Sequence, residues 1–194
     1  MTAVSALLAA RRPHRADAAR NFDAILAAGR DVFNETGGSG SLEDIARRAK
    51  VGIATLYRNF PTRESLVEAV YVAEVDQVCQ YAEELTGLAP GAALDSWLER
   101  FAVYLHTKRA LVEGLSREAV EGITRESEAY QVSRTAIYAT GGPLLERAQA
   151  AGAARTDVDI DDVMRFVLSV TAGIYRDDDQ RDRIIRMAIR SVQT

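Results

Sequence analysis

Between residues 41 and 63 the chain carries side chains suited to gripping a polyanion and reading the edges of flat heterocycles. Arg58 presents a guanidinium fork of the kind that takes guanine O6 and N7 together, and Asn59 an amide that does the same for adenine. Ile53 and Ala54 are apolar where a solvent-facing position is expected; water gives them no purpose, but a thymine methyl would. Thr55 offers a hydroxyl on the same side. Ser41 joins a hydroxyl to the free amides of a helix start, which suits phosphate as well as plain capping. Arg48 and Lys50 add charge nearby, although a solvated surface accounts for each equally well.

These residues need elements to place them. Leu42, Ile45, Ala46 and Ala49 recur at i, i+3, i+4 and i+7, one face of a helix, and Ser41 with Asp44 three residues on predicts its capped start. In the next segment Val51, Leu56 and Phe60 are expected inside, leaving Ile53, Ala54, Thr55, Arg58 and Asn59 on the free side. Pro61 cannot continue a helical ladder, and Thr62 is a good cap for a third helix. A segment of about eight residues is too short to hold itself. The stripe Phe22, Ile25, Leu26, Gly29, Val32 and Phe33 of a preceding helix can pack against it. Two short helices about a tight turn at Val51-Gly52, over about 41–60, make a helix-turn-helix, which sets one helix for a major groove.

Residues from about Arg20 to Val78 resemble the DNA-binding domain of the TetR/AcrR family of transcriptional regulators. The resemblance lies in IARRAKVGIATLYRNFPTRESLVEAV, with the family's T-L-Y-x-x-F core at Thr55, Leu56, Tyr57 and Phe60 and its small hydrophobic positions at Ile45 and Ala46. It implies that Tyr57 binds phosphate with its hydroxyl outward, and that Arg63, opening the next helix, is a basic phosphate clamp. Lys50 departs from the pattern, since the family usually has Gly just before the turn valine. Lys50 must take a left-handed backbone or the helix must end differently.

Composition is compatible with this reading. The 194 residues are 47% hydrophobic and 27% charged, ordinary for a globular chain, and a net charge of -4 excludes a protein that coats nucleic acid indiscriminately. Residues 1–64 hold 10 Lys and Arg against 7 Asp and Glu, a net of +3, and the remainder 14 against 21, a net of -7. A basic head on an acidic body presents one end to phosphate. One Cys and two His make no disulfide framework or zinc cluster, and no cofactor is expected. Arg11, Arg12 and Arg15 follow the apolar VSALLAA, whereas a signal peptide has its charges ahead, and no run has the length of a membrane span. A cytoplasmic protein is expected. Residues 1–16, with Arg11-Arg12-Pro13-His14-Arg15, read as a flexible basic arm, either disordered or reaching phosphate or the minor groove.

The fold class is all-α, about nine helices: a three-helix helix-turn-helix domain over 17–64, a linking helix from about 63 to 86, and a regulatory and dimerisation bundle over 65–194. Helices are expected around Leu94–Leu105, from Lys108 to about Glu121, and, after a break at Gly122, from about Glu126 to Ala151 with a kink or split at Pro143. Asp159 should cap the next. The family resemblance implies that the last two helices, 160–175 and 181–192, pair with their twins through Val163, Val167, Val170, Ile174, Ile184, Ile185 and Ile189. The same faces could instead complete the monomer core. The resemblance also implies an inducer pocket, for which Tyr71, Trp97, Phe101, Tyr104, Tyr130, Tyr138 and Phe166 supply aromatic surface, each also explicable as packing. Cys79 reads as a small buried hydrophobe.

The function expected is that of a homodimeric repressor on a palindromic operator of double-stranded DNA, released by a small apolar or amphipathic ligand, with no membrane partner. A dimeric adaptor acting through protein partners without DNA is the alternative, disfavoured because Thr55, Tyr57 and Arg63 are all present. A helical-bundle enzyme is weaker still: there is no Glu-x-x-His pair, no Gly-x-Ser-x-Gly, and no P-loop behind Gly37-Gly38-Ser39-Gly40.

Overall fold

The computed structural model describes residues 2–36, 39–113, 115–121 and 127–194. Among them are ten helices: α1 (Ala3–Arg11), α2 (Ala16–Thr36), α3 (Leu42–Arg48), α4 (Ile53–Asn59), α5 (Arg63–Glu84), α6 (Pro90–Glu113), α7 (Arg117–Glu121), α8 (Glu128–Ala150), α9 (Ile160–Thr171) and α10 (Asp178–Arg190). The described residues contain no strand, only an isolated bridge between Ala154 and Gln193. The expected break at Gly122 and the helix start at Glu126 lie outside the described residues, as do Gly37 and Gly38.

The head is built on α2. Phe22, Ile25, Val32 and Phe33 form its buried stripe, and α3 and α4 pack against it. Ser41 caps α3, its hydroxyl accepting the Asp44 amide at 3.0 Å while donating to the Asp44 carboxylate at 3.1 Å. Ile45 and Ala46 are buried. At the other end Val51 N–H donates to the Ala46 carbonyl and Lys50 N–H to that of Arg47, the paired bonds of a Schellman ending. That ending needs a left-handed residue, and Lys50 takes it with φ 56°. In α4, Leu56 is fully buried and Phe60, just past its end, sets its ring 5.1 Å from that of Phe22. Val51, expected inside, is only half-buried, because it lies in the turn itself. Gly40 has no alternative: a Cβ there would stand 2.1 Å from Val32 Cγ1. Thr62 caps α5, exchanging bonds with Ser65.

Three expectations are corrected. Residues Ala3–Arg11 are helical and not a flexible arm: Thr2 caps them and Val4 is fully buried, so the apolar run has a surface to pack on. The helix around Leu105 does not stop before Lys108 but continues to Glu113, since nothing between breaks its ladder. Of the kink or split expected at Pro143, the split does not occur, since α8 runs through it unbroken. The neighbouring Gly141 is required there for another reason, since a Cβ would lie 2.5 Å from the Trp97 ring.

The chain forms two compact units, Met1–Asp76 with Thr107–Arg134 and Gln77–His106 with Thr135–Thr194. They do not follow the linear order expected from a boundary near residue 64, because the long helices α5, α6 and α8 each contribute to both. In the second unit Trp97 is fully buried, donates from its indole to the Val78 carbonyl at 3.2 Å, and stacks on Phe101.

Candidate nucleic-acid interface

Helix α4 places its side chains as a two-sided element. Leu56 is its buried anchor, and the opposite side holds Ile53, 38% exposed, Ala54, Tyr57, 45% exposed, and Arg58. An isoleucine and a tyrosine left this open on a seven-residue helix are an apolar surface that the monomer does not use. The Arg58 Nη2 donates to the Thr55 hydroxyl at 2.9 Å, which steadies the fork on the exposed face. Thr55 is half-buried, below the outermost layer.

Asn59 departs from its expected free position. It is half-buried, and its Nδ2 donates to the Thr55 carbonyl at 2.8 Å, so its amide closes the last turn of its own helix. Of the two side chains considered for bidentate base contact, only Arg58 is exposed.

The cations around α4 differ in availability. Arg48 is held by Glu35 through two bonds at 2.6 and 2.8 Å, which keep the Glu35 carboxyl below the usual range and raise Arg48 above its own. Arg47 pairs with Asp44, whose carboxyl is lowered first by Arg47 and then by the Ser41 hydroxyl. Lys50 and Arg58 are exposed, and among the described residues no carboxylate pairs with them. Arg63 Nη1 donates to the Gly40 carbonyl at 2.7 Å and its guanidinium lies over the Phe33 ring. Ser41 caps α3, Lys50 lies in the turn before α4, Tyr57 is on the exposed face of α4, and Arg63 opens α5.

Residues 25–70 match the sequence profile of bacterial regulatory proteins of the tetR family, and residues 89–192 that of the SbtR-like transcriptional regulator C-terminal domain. The TetR transcriptional regulator SCO0520 of Streptomyces coelicolor is 36% identical, over 89% of this chain and 98% of its own, with a TM-score of 0.75. The chain belongs to the TetR family of transcriptional regulators. A TetR transcription regulatory protein of Mycobacterium vanbaalenii is 31% identical over 94% of this chain and 100% of its own, with a TM-score of 0.71. No curated protein matches the chain. It is a DNA-binding transcriptional regulator and not an enzyme. Among the described residues of this TetR regulator no helix is long and apolar enough to cross a membrane.

The seven aromatics considered for an inducer pocket are distributed over both units. Tyr71 and Tyr130 belong to the first unit, stacked at 6.0 Å with the Lys108 ammonium over both rings. Trp97, Phe101 and Tyr104 are packed core of the second unit, each at most 3% exposed. Tyr138 donates its hydroxyl to Asp161 at 2.7 Å, and Phe166 is exposed. Phe166 lines a surface groove of about 410 Å³ with Arg155, Val158, Asp162, Val163, Ser191 and Val192. No sequence signal singled out this groove, since its walls come from a loop, α9 and the chain end.

The dimer residues also divide. Val163, Val167 and Ile189 are buried in the monomer, and Val170, Ile184 and Ile185 are half-buried. Ile174 alone of the seven is open, at 98%. The exposed apolar side chains of this region are instead Phe166, Leu168, Ile174 and Met187. Helical period identifies an apolar stripe but not how far it wraps, and here the stripe's centre serves the monomer.

Proposed function

We propose that this regulator is a homodimeric repressor that occupies a palindromic operator and leaves it when a small apolar or amphipathic ligand binds. The exposed face of α4 carries the reading: Ile53, Ala54, Tyr57 and Arg58 lie open together on a helix anchored by Leu56. Ser41, Lys50, Tyr57 and Arg63 fix register on phosphates, and Arg58 with Ile53, Ala54 and Thr55 chooses the sequence. Two copies meet half-sites about 34–36 Å apart. The open side chains of Phe166, Leu168, Ile174 and Met187 support the pairing. The match to a regulator C-terminal domain of this family supports a small-molecule ligand. Such a ligand lowers operator affinity by its preference for the state that DNA does not select. Helix α5 is continuous from Arg63 to Glu84 and is the natural lever. On this reading the protein works in the cytoplasm.

Fluorescence anisotropy with DNA flanking its own gene tests the reading. Lys50 and Arg63 give a dimer about four cationic phosphate contacts, so the log–log salt slope should be about -3.6. Arg58→Ala should cost about 1–3 kcal/mol on the preferred operator and relax one base position. Absence of binding to any genomic fragment would leave the protein an adaptor that works through protein partners.

A further inference from the structure

Helix α1 is fastened at both ends within the first unit. At its start the Thr2 hydroxyl donates to Asp76 Oδ1 at 3.1 Å, the Ser5 hydroxyl donates to the same oxygen, and Val4 between them is fully buried. At its end Arg11 Nη2 donates to Glu68 Oε2 at 2.8 Å. Asp76 and Glu68 both belong to α5, so α1 runs antiparallel along it. The next residue, Arg12, leaves α5 and grips α2: its Nε and Nη2 donate to the two Asp23 oxygens at 2.8 and 2.6 Å. Asp23 adjoins Phe22, whose ring seats Phe60 at the end of the recognition helix.

We propose that α1 is a brace that sets α2 against α5 and so positions α4 for the operator, without itself touching DNA. Exposed ion pairs such as Arg12–Asp23 are worth little alone. The brace therefore depends on the buried anchor at Val4 and Asp76, with the arginines fixing its direction. Of the three arginines that composition offers to phosphate, the two on α1 and its cap are paired with carboxylates, Arg11 with Glu68 and Arg12 with Asp23; Arg15, beyond α1, is exposed.

The test rests on the proposed operator binding and uses a full-length variant, Val4→Ser, that undocks α1 without altering charge. Operator affinity should fall about fivefold with an unchanged salt slope, and amide exchange of residues 66–76 should quicken. Deletion of residues 2–12 should weaken binding further, again at constant slope. Asp23→Arg, which adds positive charge to the head but breaks the Arg12 pair, should weaken binding about twofold. Unchanged affinity in Val4→Ser, a shallower slope after deletion, or tighter binding by Asp23→Arg each overturns the brace. Failure of the unaltered chain to bind DNA would be the failure of the operator reading. Exchange at 66–76 would then decide on its own, and an unchanged rate in Val4→Ser overturns the brace.

Discussion

The guanidinium of Arg63 lies 5.1 Å from the centre of the Phe33 ring. Phe33 is fully buried in α2, and the same guanidinium donates to the Gly40 carbonyl, so the first residue of α5 joins three parts of the head. Arg63→Lys keeps the charge but loses the planar fork. It should lower stability by about 1 kcal/mol and leave the salt slope unchanged. Arg63→Met should also make the slope shallower, by about 0.9 per protomer. Thermal unfolding with binding at several salt concentrations checks both; equal stability for all three proteins would refute the structural half.

Lys50 carries a positive φ on a side chain that gains nothing from it. The left-handed backbone costs about 1–2 kcal/mol, partly offset because glycine loses more freedom on folding. Lys50→Gly should therefore stabilise the protein by about 0.5–1 kcal/mol. It should nonetheless bind all DNA sequences more weakly, through loss of one cation per protomer. Chemical denaturation beside a binding titration would separate the two effects, and a less stable variant would contradict the argument.

Val167 and Met187 belong to different surfaces. Val167 is 1% exposed and Met187 is 69% exposed. Val167→Ala should cost about 2 kcal/mol of stability through the cavity it leaves. Met187→Glu should leave the protomer's fold intact and shift sedimentation toward the monomer. A Met187→Glu protein that sediments like the parent would remove this side chain from the interface.

Asp95 sets a pH dependence with a definite sign. Burial, reinforced by Glu99, raises its carboxyl above the usual range, while a hydrogen bond from Gln193 opposes the shift. Its Oδ1 is buried with no hydrogen-bond partner among the described residues. A group whose folded value is raised costs nothing below the ordinary carboxylate value of about 3.9. From there upward the folded state must hold a charge it disfavours, and stability falls until the raised value is passed. Asp95→Asn should thus gain stability over the parent at neutral pH and little at pH 3. Melting curves across that range that stay parallel would refute it.

The recognition unit was legible because its signals are local. Ser41, Thr62 and Asp159 cap the helices they precede, and the T-L-Y-x-x-F spacing fixes which side of α4 turns inward. Asn59 was misplaced because its amide competes for the backbone of its own helix, a choice that periodicity does not see. Residues Ala3–Arg11 were misread for a different reason: the acceptors that order them, Glu68 and Asp76, lie more than fifty positions away. The same distance effect hid the division of the aromatics, since neither Lys108 nor its two tyrosines signals the others in the chain.

The recognition helix is seven residues long, and its attachment to the head rests mainly on Leu56 and on Phe60 just beyond it. Its outward residues at 53, 54 and 58 are exposed and lie away from that attachment. On the proposed reading, operator vocabulary can therefore be rewritten letter by letter while the grammar of the head stays intact. A library confined to those three positions should yield regulators of new DNA targets that melt near the parent temperature.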